Sequence, residues 1–291
     1  SQTWCTVTVA GNVVTAKVTE NTGNTSRTAT VYVTYRNSRS QTFDVVQDSG
    51  GPATITIGGL QWTLYNLANP AQASGGATFA TKLPSQCTGN RSESHGRFYQ
   101  WNRNVSWNTI GSSASGANPS GTWQTTNPSG TSWGSSTNPC PSGFVVPTKA
   151  QWDALISACT KSYKGGWSSN NYGYLTLTDK TNTSNTLEFP AVGNRNSSDG
   201  TLNEAGTNGR YWSSVQSTSN TNNAYNLNFN SSSVSVNSNN KQNGRSVRCV
   251  RQEFTTLIFS ISANIINRSL KYRQCSAYTP SCIVFCKRLL A

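Results

Sequence analysis

Along residues 3–47 apolar and polar side chains alternate in short runs: Val7 and Val9; Val14, Ala16 and Val18; Val31, Val33 and Tyr35; Phe43 and Val45. A period of two is that of a strand with one face buried. Gly11-Asn12, Asn21 to Asn24 and Asn37-Ser38 interrupt the runs as turns. The pattern predicts a small antiparallel sandwich, half buried on each sheet. Ser49 to Pro52 reads as a linker, and the pattern changes again near residue 253, so the expected division is 1–50, 51–253 and a tail, 254–291.

The first half of the second unit is poor in strand patterning and punctuated by Gly, Ser, Asn and Pro, most densely over residues 111–143. Trp101, Trp107, Trp123 and Trp133 are interspersed there. Indoles have large apolar area to bury, which predicts long loops pinned to a core and not disorder. One helix is predicted: Thr148 and Gln151 form a capping box after Pro147, and Trp152, Leu155, Ile156 and Cys159 share one face, with Gly165-Gly166 as the stop. Beyond it YLTLTD, TLEFPAVGN, GRYWSS, AYNLNFN, VSVNS and SVRCV read as short strands. In AYNLNFN, Leu227 and Phe229 alternate with Asn226, Asn228 and Asn230; Val234 and Val236 alternate with Ser235 and Asn237. These strands should present an apolar side and a hydroxyl/amide side.

Composition narrows the picture. Charged residues are 11% of the chain, while nine Trp, eleven Tyr and nine Phe supply apolar bulk, a balance suited to a β-rich extracellular protein. The net charge of +13 includes five basic residues after residue 253, where no acidic residue follows, leaving +8 for the rest. The basic residues are scattered, so no nucleic-acid partner is expected. No apolar run reaches the roughly 20 residues of a membrane-spanning helix. Eight Cys leave the disulfide pairing open, and the lack of a CxxC pair argues against zinc. The absence of Met and the start on strand sequence suggest that the natural beginning is missing, which leaves a signal peptide open. The tail from Phe254 lacks Gly, Trp and acids, and reads as a non-native extension or, alternatively, a membrane-seeking segment.

The stretch ENTG-x-x-x-RTATV and the closing V-x-Q of the first unit resemble a BACON-type domain, an immunoglobulin-like module, truncated at its start. Across residues 55–251 the order CPSGFVVPTKAQWDAL, LEFPAVGNR, GRYWSS, AYNLNF and GRSVRCV is similar to the Fibrobacter succinogenes major paralogous domain. It also resembles the variable proteins of diversity-generating retroelements. These resemblances imply an α+β C-type-lectin-like fold with long loops, preceded by an all-β immunoglobulin-like sandwich. They further imply a ligand-binding face on the last strands, rewritten codon by codon at adenines in the retroelement relatives. About two-thirds of positions 213–243 are Asn, Ser or Thr, which partly rewritten Asn codons would encode. An ordinary, non-varying domain is the alternative, because the same residues are plentiful at 112–138.

The expected contact residues are Gln216, Ser217, Ser219, Asn220, Asn222, Tyr225, Asn226, Asn228, Asn230, Ser235, Asn237, Asn239, Asn240 and Asn243. Amides and hydroxyls supply adaptable donors and acceptors, and Tyr contributes area at little entropic cost. A cell-surface protein or glycan is the expected partner, reached from a bacterial surface or a virion; oligomeric state is left open. Neither catalysis nor a cofactor is expected. Lectin-type calcium motifs are missing, with Asp199 and Glu204 the only nearby acids. His95 has no nucleophile motif around it and reads as a surface or packing residue. Glu188 reads as a buried hydrogen-bond partner and Asp153 as exposed. Arg245, Arg248 and Arg251 read as a charged strand edge, protective or anion-binding.

Overall fold

A computed structural model describes residues 3–10, 13–19, 27–35, 39–47, 51–252 and 281–282. The three turns expected in the first unit, and the tail apart from Ser281–Cys282, lie outside the described residues. The chain separates into two compact units, one of which is Pro52–Gln252; the other holds the strands that precede it.

In the first unit β1 (Cys5–Ala10) pairs antiparallel with β2 (Val13–Val18), and β3 (Arg27–Tyr35) with β4 (Arg39–Gln47). The dipeptide Ser281–Cys282 adds to β2. Trp4, Ala16, Val18, Ala29, Val31 and Val45 make one apolar cluster drawn from both hairpins. The expected alternation fails in β1: Val7 and Val9 are 37% and 67% exposed. Trp4, just before β1, lies in the cluster instead. The side chains of Val14, Val33, Tyr35 and Phe43 lie outside the described set.

The second unit is built from β5 (Thr54–Ile57), β6 (Leu60–Thr63), β7 (Phe98–Gln100), β8 (Ser106–Trp107), β9 (Phe144–Val145) and α1 (Lys149–Ala158). There follow β10 (Cys159–Lys164), β11 (Tyr174–Asp179), β12 (Thr186–Pro190), β13 (Asn194–Arg195) and β14 (Leu202–Asn203). The last set is β15 (Gly209–Gln216), β16 (Asn223–Phe229), β17 (Val234–Asn240), β18 (Gly244–Ser246) and β19 (Val250–Arg251). They form three sheets: β10-β11-β12; β5-β6-β19-β9; and an eight-stranded sheet ordered β14-β13-β18-β15-β16-β17, with β7 and β8 branching from β18.

This architecture corrects the expected α+β lectin-like fold. Among the described residues α1 is the single α-helix, and the rest of the regular structure is strand arranged in separate sheets, apart from two 3₁₀ turns. The capping box forms as read: the Gln151 N–H donates to Thr148 Oγ1 at 3.2 Å and the Thr148 N–H to Gln151 Oε1 at 2.8 Å. The helix nevertheless stops at Ala158 and not at Gly165-Gly166. Cys159–Lys164 pairs along its whole length with β11, and this non-local ladder overrides any helical continuation. Gly165, at a φ of +86°, turns β10 toward β11 instead, where a Cβ would meet the Tyr172 carbonyl.

Trp152 and Leu155 from α1 meet Leu175, Leu177, Leu187 and Phe189 of β11–β12, and Tyr211, Leu227 and Phe229 of β15–β16, in one buried core. Burying each such side chain contributes about 1.5–3 kcal/mol. The loop tryptophans act as read: Trp101, Trp107 and Trp133 are buried and Trp123 half-buried. Trp101 Nε1 donates to the Ser213 carbonyl at 2.9 Å, and Trp123 Nε1 to that of Ser197 at 3.2 Å. Cys140 and Cys249 form a disulfide, a pairing the sequence leaves open.

Candidate functional site

The antiparallel strands β15, β16 and β17 set the geometry. Leu227 lies opposite Tyr211 and Val236, and Phe229 opposite Val234. Leu227 and Phe229 are fully buried, and Val234 and Val236 pack on the same core. Alternation therefore sends the intervening residues to the other side. Asn228 sits between Arg210 and Ser235, Asn226 between Trp212 and Asn237, and Ala224 opposite Asn239.

This second side is not uniformly solvated. Ser235 and Asn237 are exposed and Asn228 half-buried, but Asn226 is buried. Its Nδ2 donates to the Asn237 carbonyl at 3.1 Å, and its Oδ1 accepts from Arg245 Nη1 at 2.7 Å. The Arg245 guanidinium lies 4.8 Å from the Trp212 ring centre. Asn226 thus belongs to the floor under the face and not to the contact surface, a correction to the sequence-based set. A middle-strand amide is covered because β18 lays Arg245 across it.

Gln216, Ser217, Ser219, Asn220 and Asn222 gather at the end where β16 begins, beside Asn239, Asn240 and Asn243 at the end of β17; the Lys241 N–H donates to the Asn222 carbonyl at 3.0 Å. Ser219, Asn220 and Asn222 are exposed, whereas Ser217 is buried with its Oγ 3.0 Å from Ser219 Oγ and is likewise scaffold. Gln216 Oε1 accepts from Lys241 Nζ at 2.7 Å, and Asn243 Nδ2 donates to Asn239 Oδ1, also at 2.7 Å. Asn230 stands at the far end, its Oδ1 accepting from the N–H groups of Ser232 and Ser233.

Tyr225 is separated from the others. It alternates with Asn226 and falls on the helix side of the sheet, with Lys149 Nζ of α1 5.6 Å from its ring centre. Its hydroxyl lies 2.8 Å from Thr218 Oγ1. Hydrogen bonds from Thr218, aided by the Lys149 charge, hold the phenol below its ordinary pKa.

The sequence reading missed what completes the amide face. A polar depression of about 490 Å³ opens where Asn239, Asn240 and Asn243 meet Arg210, Glu204 and Arg245. Arg210 Nε donates to Glu204 Oε2 at 2.7 Å. Arg210 was findable, since it alternates with Trp212 as Asn228 does with Asn226. Glu204, legible from the sequence only as a nearby acid, takes its place beside Arg210 at a turn with φ +57°. The charged strand edge expected of Arg245 and Arg248 is overturned: both are buried, Arg248 against the Phe189 ring at 4.6 Å. Arg251 packs over Phe144. Elsewhere Glu188 is buried and accepts from the Ser85 N–H at 2.8 Å, and Asp153 is exposed in an ion pair with Lys149 at 2.6 Å.

No curated protein and no solved structure matches the chain. Residues 55–251, which include every strand of this face and most of the chain, match the Fibrobacter succinogenes major domain, and the chain belongs to that family.

Proposed function

We propose that this chain is a non-enzymatic, extracellular recognition protein that binds a cell-surface protein or glycan through the amide side of β16–β17 and the loops at its end. The observation that carries the reading is the two-sided hairpin. Leu227, Phe229, Val234 and Val236 hold one side to the core, so Asn228, Ser235 and Asn237 on the other side are free to specify a partner without loss of the fold. A stable protein partner needs about 800 Å² per side, which requires the Ser219–Asn222 loop and the Asn239–Asn243 turn as well. The BACON-like first unit serves as a spacer in this reading.

Retroelement diversification of the face is part of the proposal, limited by hydrogen bonding. Asn226, Asn230 and Asn239 satisfy neighbouring groups, so rewriting them would leave polar atoms unpaired. Variation belongs at Asn228, Ser235 and Asn237. The same bonds favour a second reading, a non-varying carbohydrate-binding or structural surface protein. Sequencing independent isolates separates the two: diversification predicts differences concentrated at those three positions, and even substitution over 55–251 overturns it.

Recognition itself is tested with the double variant Asn228→Ala/Asn237→Ala in cell-binding and glycan-array assays. Binding should fall about tenfold or more, while the thermal midpoint stays near that of the parent, because Asn237 is exposed and the half-buried Asn228 has an Oδ1 with no hydrogen-bond partner to lose. Unchanged binding overturns the reading.

A further inference from the structure

Three arginines, Arg195, Arg245 and Arg248, are at most 1% exposed. Two of them are wrapped in acceptors. Arg195 donates to the carbonyls of Asn108, Ile110, Gly111, Ser112 and Gly200 and to Asn108 Oδ1. Arg248 donates to the carbonyls of Thr63, Leu64 and Glu188 and to Asn66 Oδ1. Neither borders the polar depression described above.

Arg245 differs on both counts. It donates a single hydrogen bond, to Asn226 Oδ1, where Arg248 donates four; the Nε of both is buried without a partner. It also forms part of the lining of the depression. A guanidinium has five N–H donors and stays charged, so one neutral acceptor leaves most of its capacity unused. The one carboxylate in the lining, Glu204, is engaged by Arg210. All other lining residues are Asn or Ser, so two arginines and one glutamate leave a single net positive charge. Burial and the Arg210 charge both destabilise the Arg245 cation, and Glu204 offsets them only in part. A buried charge with so little compensation at an open polar site is what an anionic ligand would satisfy.

We propose that this depression is the subsite for an acidic sugar unit. Its carboxylate or sulfate ester accepts from the unused Arg245 donors in fork geometry, and its hydroxyls bond Asn239 and Asn240, while Asn243, buried and bonded to Asn239, supports them. A sugar fits better than an acidic peptide because the lining is dominated by amides, which both donate and accept as hydroxyls require. The proposal rests on the amide side of β16–β17 being the recognition surface, and adds the class of ligand.

The test is a glycan array probed with the full chain, carrying neutral, uronate-containing, sialylated and sulfated oligosaccharides together with acidic peptides. Acidic glycans should bind about tenfold or more above their neutral counterparts, the value of one charge-assisted contact. The carboxylate and sulfate arms identify which anion is taken. Arg245→Gln should abolish the preference for acid. Because Arg245 is buried and could be needed for folding, Glu204→Gln is the second variant. The Glu204 side chain is 39% exposed, and neutralising it should tighten acidic-glycan binding about threefold by raising the local positive charge. Equal binding of acidic and neutral glycans, binding of acidic peptides only, or no gain in Glu204→Gln overturns the subsite. If Asn228→Ala/Asn237→Ala abolishes cell binding while Glu204→Gln changes nothing, the recognition surface stands and the acidic subsite falls. If neither variant has an effect, both fall.

Discussion

His95 is the one histidine in the chain, fully buried and stacked on Tyr172 with ring centres 4.9 Å apart. Its role is packing. Burial pushes its pKa down to about 4, opposed only in part by the Asn90 backbone. The native state therefore holds the neutral ring. Below pH of about 6.5 the unfolded chain takes up a proton that the native chain refuses, so stability present above that pH drains away toward pH 4, by up to about 3 kcal/mol. Thermal midpoints from pH 7 to 4.5 should fall in the parent, and fall less in His95→Phe, which keeps the stack and cannot protonate. Parallel curves would assign the acid sensitivity to carboxylates.

At the next level, β15 and β16 meet at Gly209 and Phe229. A Cβ at Gly209 would lie 1.9 Å from Phe229 Cζ, so the ring occupies the space a side chain would need. Gly209→Ala should destabilise by about 1–3 kcal/mol through overpacking, read from urea denaturation, whereas Ser235→Ala on the opposite side should change stability by less than about 0.5 kcal/mol. Similar costs for the two would mean that the sheet is not two-sided. Strands and helix differ in how much of them is local. The alternation around Leu227 and Phe229 and the Thr148–Gln151 box are written within a few neighbouring residues. The end of α1 is not, because it is set by the pairing of Cys159–Lys164 with Tyr174–Asp179.

For the second unit as a whole, the Cys140–Cys249 disulfide joins residues 109 apart. It ties the end of the loop-rich half to the segment between β18 and β19. Closing so long a loop in the unfolded chain should contribute about 3–5 kcal/mol. Reductant, or Cys140→Ser/Cys249→Ser, should lower the thermal midpoint of the intact chain by an amount that an oxidised control does not show; equal midpoints would assign the bond no stabilising role.

Much of this protein is legible from short-range pattern: the division near residue 50, most of the strands beyond β10, the indole-pinned loops, and the side of β16–β17 that meets the core. Periodicity records which side of an element is apolar, and capping boxes record where a helix begins, because both depend on residues a few positions apart. What periodicity could not supply is what lies over the polar side. Trp212 donates to the Tyr99 carbonyl from 113 residues away, and Arg245 reaches Asn226 across 19. Those meetings exist only after long loops close, which is how a strand that reads as a charged edge came to hold buried arginines. The same closure turned an even row of asparagines into a floor at Asn226, a rim at Asn239 and Asn243, and an open surface at Asn237.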